Sequence, residues 1–213
     1  MKQVVQFIEC KVIEPIAKFG LDKLERALLF GLGLVIVLAL ATGSVQMSAR
    51  WVSFLFRWMH VISGVMWIGL LWYFNFVQIP SMPKIPDEQK PAIGKVIAPA
   101  ALFWFRWAAL STVVTGLILL SLNGVGYAFE ALLLGYFKGG ALTFIGVGMW
   151  LGLIMAFNVW NIIWPNQQKA LGLVEASDDE KKAAARIAML TSRFNTMLSI
   201  PMLYFMVAAQ NLP

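Results

Sequence analysis

Long apolar stretches alternate with short charged segments along this chain. Five of the stretches are long enough to cross a hydrocarbon core of about 30 Å as helices, which takes about 20 residues. They cover approximately residues 27–47, 52–76, 98–122, 141–164 and 187–209. The pattern therefore predicts an all-α fold, a polytopic membrane protein with a bundle of about five transmembrane helices.

The first 23 residues follow a different pattern. Apolar residues recur at helical spacing with lysines between them, namely at Val5, Ile8, Val12, Ile16 and Phe19. This spacing is typical of an amphipathic helix that lies on the membrane surface. An ordinary anchor is favoured there over a docking surface for a partner. We predict an interfacial helix over residues 1–23 and a transmembrane domain over residues 24–213.

The connecting segments also carry local signals. Prolines are dense in residues 79–99, which predicts an extended loop because proline interrupts a continuous helix. Residues 123–140 form the longer connection on the opposite side. Ser177 and Glu180 have the spacing of a capping box that opens the last helix, and Pro201 is expected to kink that helix.

Charge agrees with a membrane location and predicts an orientation. Charged residues make up 13% of the chain, whereas a soluble domain has about 25%. If the N-terminus is inside, twelve basic residues fall on the inner side and two, Arg50 and Lys138, on the outer side. Cytoplasmic loops carry the excess of Lys and Arg, so this distribution predicts an inside N-terminus and an outside C-terminus. The net charge of +6 needs no nucleic-acid partner to explain it.

The scarcity of ligating residues excludes several kinds of site. The chain has one histidine, His60, and one cysteine, Cys10. Two-histidine haem ligation, a three-histidine metal site and C-x-x-C-H haem attachment are therefore impossible within one chain. All eleven Asp and Glu lie outside the five predicted spans. A proton pump or cation-coupled carrier usually needs a carboxylate in the membrane, so a transporter is the least supported class.

His60 shares one helix face with Arg57, Gly64 and Trp67, because these residues follow the spacing i, i+3, i+7 and i+10. Gly64 leaves room for a flat ring or for a neighbouring backbone. His60 is accordingly a candidate metal ligand for a haem b, and this face is a candidate site for haem or quinone. A hydrogen bond from His60 to a neighbouring helix explains the same pattern without a cofactor, and we favour it.

Three arginines lie within or at the margin of the spans: Arg57, Arg106 and Arg193. Each costs at least about 2.5 kcal/mol if it stays near the centre of a helix in the bilayer. For Arg57 and Arg106 we favour snorkelling to lipid phosphate. The alternative is a bound anion, such as a haem propionate, a lipid headgroup or an acidic residue of another subunit.

Small and amide residues mark the predicted packing faces. Gly148 and Gly152 form a G-x-x-x-G pair, which lets another helix approach closely. Polar groups in lipid must find partners, so Asn158 and Asn195 are expected to hydrogen bond between helices.

Three stretches together resemble the membrane domain of the bacterial cytochrome-c-linked urate oxidase family. They are residues 57–69 (RWMHVISGVMWIG), residues 158–160 with 165–169 (NVW and PNQQK), and residues 195–202 (NTMLSIPM). The resemblance runs from the second predicted helix to the C-terminus and implies a redox-linked protein of a bacterial inner membrane. Members of that family have more membrane helices and a C-terminal cytochrome c domain, and we expect this sequence to be a shortened relative without that domain.

The departures from the family pattern shape the predicted function. Phe194 and Asn211 stand where the family has histidines, so only His60 carries over. We expect a non-catalytic accessory or anchoring subunit of a redox complex, with no catalytic residue of its own and no required cofactor. Bound phospholipid and other membrane subunits, or further copies of the chain, are the expected partners. The alternative is an electron carrier that binds one haem b or quinone at His60 and Arg57 and works with an external cytochrome.

Overall fold

A computed structural model describes residues 21–137 and 139–212, and the interfacial helix predicted at the N-terminus lies outside these ranges for residues 1–20. We number the helices α1 to α6. They are α1 Leu24–Ala41, α2 Ala49–Lys84, α3 Lys90–Leu122, α4 Val125–Leu132, α5 Gly140–Ala170 and α6 Asp178–Asn211. No strand occurs in the described ranges. The predicted all-α membrane fold is confirmed.

Four of these helices, α1, α2, α3 and α5, are long and apolar enough to cross a membrane. Helix α6 has 34 residues, which is also sufficient length. It is less apolar than the other four because it begins with charged residues and carries Arg186 and Arg193. The fifth crossing, through α6, stays a prediction.

The chain divides into two units, residues 1–51 and residues 52–213, which are described separately. In the first unit, α1 ends at Ala41, so the predicted span to residue 47 was too long. Gly43 has a φ of 65°, the left-handed conformation that commonly ends helices. The Leu38 carbonyl near the helix end accepts both the Thr42 backbone N–H at 2.9 Å and the Thr42 hydroxyl at 2.8 Å.

The long helices of the second unit continue through several of their prolines by way of wide turns. Three π-helical turns each end two residues before a proline: Tyr73–Gln78 before Pro80, Ile93–Ile97 before Pro99, and Val159–Ile163 before Pro165. In each turn the residue just before the proline donates its N–H to a carbonyl five residues earlier, as Ile79 does to Phe74. The wide turn makes room where proline lacks an N–H and crowds the preceding turn. The extended loop predicted over residues 79–99 is therefore wrong, because only residues 85–89 are non-helical.

The core of the second unit lies between α2, α3, α5 and α6. Its most enclosed large side chains include Trp67, Leu71, Phe105 and Met155, each at most 1% exposed. Phe105 meets Phe74 edge-on, with ring centroids 5.7 Å apart. Burial of this apolar surface holds the four helices together, and polar contacts between the helices add to it.

Helices α5 and α6 run antiparallel. Gly148 of α5 lies against Met206 of α6, and ten residues further along α5, Asn158 lies against Asn195. The short helix α4 packs on α5, where Gly146 lies directly on the Ala131 carbonyl. Helix α6 continues through Pro201.

Candidate functional site

A buried pair of amides joins α5 to α6. The Asn158 Nδ2 donates to the Asn195 Oδ1 at 2.8 Å, and the Asn195 Nδ2 donates to the Met155 carbonyl at 2.9 Å. Asn158 is 7% exposed and Asn195 is fully buried. Both amides therefore find partners on the facing helix, as polar groups in an apolar surrounding require.

The same face of α6 also receives polar side chains from α2. The Asn75 Nδ2 donates to the Ser192 Oγ at 2.8 Å, and the Trp72 Nε1 donates to the Ser199 Oγ at 3.1 Å. Ser192, Asn195 and Ser199 are all buried and follow the spacing i, i+3 and i+7. We call these three residues with their partners Trp72, Asn75 and Asn158 the polar seam. Of the polar seam, the sequence predicted only Asn158 and Asn195 as site residues. It missed Trp72, Asn75, Ser192 and Ser199, although the helical spacing of polar residues on α6 could have indicated the two serines.

Four polar atoms of the core have no hydrogen-bond partner among the described residues. They are the Trp67 and Trp160 Nε1 atoms and the Asn75 Oδ1 and Gln78 Oε1 atoms. Asn75 and Gln78 both belong to the π-helical turn of α2, and such turns are frequent at functional sites. The side-chain N–H groups of the polar seam thus donate to neighbouring helices, whereas the Asn75 Oδ1 stays buried without a partner among the described residues.

Arg106 is held by tryptophans of α5. Its guanidinium carbon lies 3.2 Å from the centre of the Trp164 ring and 5.6 Å from that of Trp160, and its Nε donates to the Leu102 carbonyl at 3.2 Å. The negative face of an aromatic ring attracts a cation, more strongly away from water. The charge of Arg106 thus has a partner inside the chain, in addition to any lipid phosphate.

The other two arginines have different surroundings. The Arg57 Nη1 donates to the Gln210 Oε1 at 3.0 Å, which links the start of α2 to the end of α6. Arg193 is exposed on α6 and makes no hydrogen bond, ion pair or ring contact within the described part of the chain. The three arginines are therefore not gathered around one anion.

His60 connects α2 to α3. Its Nδ1 lies 2.8 Å from the Thr112 carbonyl oxygen and 3.4 Å from the Thr115 Oγ1. The ring lies over Gly116, where an added Cβ would come within 2.9 Å of the His60 Cε1. The structure thus contains the hydrogen bond to a neighbouring helix that the sequence favoured, and Gly116 provides the space for it.

The hydrogen bond also determines which ring nitrogen remains available. A carbonyl oxygen only accepts, so Nδ1 carries the hydrogen in the neutral ring and Nε2 carries the lone pair. Nε2 makes no hydrogen bond with the described residues and is not fully buried among them. Nε2 can accept a hydrogen bond from a donor outside the chain, or it can coordinate the metal of a bound group.

The remaining residues of the predicted His60 face do not surround His60. Gly64 faces the Thr112 side chain at 4.0 Å, measured from where a Cβ would lie, and Trp67 is buried in the core. Nearby, the Ser63 and Ser111 hydroxyls lie 3.0 Å apart and add a second polar contact between α2 and α3. No group of three His, Cys, Asp or Glu that could hold a metal ion occurs in residues 21–137 and 139–212.

The two glycines of the G-x-x-x-G pair differ in how closely α6 approaches them. At Gly148 an added Cβ would lie 3.3 Å from the backbone nitrogen of Met206, so this glycine permits the close approach of α6. At Gly152 no atom lies within 4 Å of that position, although the residue is buried. Gly148 is therefore the position of the pair at which the two helices come closest.

Comparison with known proteins gives one match. The family model described as urate oxidase N-terminal matches residues 125–211, which is less than half of the chain. The matched segment begins with α4 and includes α5 and α6 with two of the three resembling stretches, whereas the stretch around His60 lies before it. No curated protein and no solved structure matches the chain. Residues 125–211 are thus similar to the N-terminal domain of urate oxidases.

Proposed function

We propose that this chain is an integral membrane subunit of a redox complex, built on a urate oxidase N-terminal-like scaffold. In this role it anchors and positions other components and does not itself carry the reacting group. The match over residues 125–211 supports the scaffold. The buried amides in that segment, Asn158 and Asn195, bind each other, which suits a structural role for the matched helices.

The observation that carries the subunit role is the available Nε2 of His60. This atom lies in a helix long and apolar enough to cross a membrane. A polar atom in the hydrocarbon region is costly without a partner, and lipid tails provide none. A donor from a neighbouring membrane chain, either another subunit or a second copy, would satisfy it. The chain would accordingly be most stable inside an assembly in the bacterial inner membrane.

A second candidate function rests on the same atom. A histidine whose Nδ1 hydrogen bonds to a backbone carbonyl is oriented as metal-ligating histidines are, with Nε2 directed at the metal. His60 could therefore bind a haem b iron at the surface of the chain, as an electron carrier would. A quinone carbonyl, which only accepts hydrogen bonds, does not suit a bare Nε2, whereas a quinol hydroxyl does.

One purification tests both candidates. The chain is extracted in a gentle detergent, and its native mass and absorption spectrum are compared for the parent, His60→Ala and the control Ser121→Ala, whose hydroxyl bonds only within its own helix. The subunit role predicts a colourless protein in an assembly that His60→Ala weakens. A Soret band that responds to dithionite and disappears in His60→Ala would support the electron carrier instead. A durable colourless monomer unaffected by His60→Ala would contradict both.

The proposal also predicts that the purified chain alone does not oxidise urate. Phe194 and Asn211 stand where the resembling family has histidines, and neither side chain can ligate a haem iron. Urate turnover by the purified chain without added subunits would contradict this proposal.

A further inference from the structure

One face of α6 combines positive charge and apolar surface in an unusual order. Lys182, Arg186, Arg193, Met197 and Ile200 follow the spacing i, i+4, i+11, i+15 and i+18, so they form one stripe along the helix. All five are exposed. The stripe is basic over its first half, near the loop of residues 171–177, and apolar over its second half. We call it the α6 stripe.

The arginines of the α6 stripe have no counter-charge of their own. Arg186 and Arg193 form no ion pair, hydrogen bond or ring contact with the described residues. The acids at the start of α6 are already engaged. Asp178 lies 3.5 Å from Lys181 and Asp179 lies 3.9 Å from Lys182, whereas Glu180 caps the helix through Ser177. The charges of Arg186 and Arg193 are therefore available to an anion, whereas Lys182 already lies near Asp179.

The two arginines can serve one anion near the basic end. They are seven residues apart, which is about 10.5 Å along the axis. Both side chains are long and flexible, so their guanidinium groups can reach a phosphate that lies between them on the exposed helix face. Arginine behaves in this way near a membrane surface, with its apolar stem along the helix and its charge toward the headgroups.

We infer that the α6 stripe binds an anionic phospholipid, with the phosphate between Arg186 and Arg193 and an acyl chain along Met197 and Ile200. Guanidinium groups hold phosphate oxygens through charge-assisted hydrogen bonds. The apolar residues continue beyond Ile200 with Tyr204 and Val207, each 60% exposed. This continuity favours a lipid over free phosphate, because free phosphate would gain nothing from the apolar half. The inference does not depend on the proposed function.

Native mass measurement of the intact chain tests the inference. Retention of phosphatidylglycerol is compared with that of phosphatidylcholine for the parent, Arg186→Gln, Arg193→Gln and the double variant. The control is Lys84→Gln, an exposed cation at the end of α2 and off the stripe. Each arginine near an anionic headgroup contributes about a five-fold change in affinity. We expect the double variant to lose roughly 25-fold in phosphatidylglycerol affinity and to bind phosphatidylcholine as the parent does.

Further arms distinguish the alternative occupants. Arg186→Lys with Arg193→Lys keeps the charge and should keep most of the binding, and helix content by circular dichroism confirms that each variant folds. Equal retention of both lipids by the parent, or no loss in the double variant, overturns the inference. Displacement of phosphatidylglycerol by an equal concentration of inorganic phosphate also overturns it. The inference is also overturned if the parent is an oligomer, the double variant is a monomer and both bind lipid equally. The stripe would then be an interface between chains.

Discussion

The guanidinium of Arg106 lies 3.2 Å from the centre of the Trp164 ring, so a cation in a span-length helix is stabilised by an aromatic face. Trp164 ends the wide turn Val159–Ile163 of α5, and Trp160 lies within that turn. The turn therefore determines where both rings stand relative to α3. The arginine for which the sequence predicted an external anion therefore also has a stabilising partner inside the bundle.

This contact should appear as an energetic coupling between the two residues. In a double-mutant cycle of Arg106→Gln and Trp164→Leu, we expect a coupling of about 0.5–2 kcal/mol in the free energy of unfolding. Unfolding in mixed detergent measures it. Trp104, an exposed residue on α3 whose ring does not contact the Arg106 guanidinium, supplies the control. The effects of Trp104→Leu and Arg106→Gln on the free energy of unfolding should be additive. Equal coupling in the two cycles would show that the contact between Arg106 and Trp164 is not specific.

Asn195→Ala should destabilise the bundle by about 1–3 kcal/mol, because it leaves the Asn158 Nδ2 buried without its partner. It also removes the bond to the Met155 carbonyl, which keeps only the Val159 N–H of its own helix. The matched control is Asn161→Ala, since Asn161 is exposed and bonds to the Phe157 carbonyl of its own helix. Thermal unfolding of the two purified variants in the same detergent gives the comparison. Equal stability of the two variants would show that the amide pair is not important for packing.

Gly116→Ala should destabilise the protein by about 1–3 kcal/mol, because the new methyl group would meet the His60 ring. Removing the ring should relieve the strain, so Gly116→Ala combined with His60→Ala is expected to be more stable than the sum of the two changes predicts. Gly69→Ala is the control, since no atom lies within 4 Å of its Cβ position. That substitution should be neutral or slightly stabilising in a helix.

In acid, the first turn of α6 should open more often, so its backbone amides should lose protection against hydrogen exchange. The Ser177 backbone N–H and then its hydroxyl donate to the Glu180 carboxylate, each at 2.8 Å, and these bonds hold the pKa of Glu180 below its usual value of 4.5. A lowered pKa means that the carboxylate stabilises the folded helix start above pH 4.5, and that this contribution disappears as the pH falls through the lower folded value.

Amide hydrogen exchange of the first turn of α6 measures this loss. We expect faster opening at pH 3 to 4 than at pH 6, after correction for intrinsic exchange rates, with little pH dependence left in Glu180→Gln. Glu175→Gln supplies the control because Glu175 does not belong to the capping box. Opening that depends on pH equally in parent and Glu180→Gln would contradict the role of the capping box.

Topology gives a further prediction. The distribution of basic residues predicts that the N-terminus and residues 85–89 lie in the cytoplasm and the C-terminus in the periplasm, with five crossings. A reporter active only in the cytoplasm should therefore work between residues 85 and 89 and fail after Pro213. Activity at both positions would remove the fifth crossing, which would leave α6 on the cytoplasmic side.

The sequence by itself determined the fold class, four of the membrane-length helices and the capping box at Ser177. These features depend on short segments: transfer of a helix into a bilayer follows the composition of about 20 consecutive residues, and a cap follows from four. The same local logic was wrong for residues 79–99, where proline predicted a loop. It was wrong because a wide turn can accommodate a proline without ending the helix, and sequence spacing does not reveal such turns.

Only the tertiary structure decided which partner each polar side chain has. His60 finds the Thr112 carbonyl 52 residues away, and Asn158 finds Asn195 at a separation of 37. Spacing on one helix shows which residues share a face, as it did for Arg57, His60 and Trp67. It does not show which face of which other helix lies opposite, because the rotation and offset of packed helices depend on the fit of many apolar side chains at once. The partners of these polar groups were therefore set by packing.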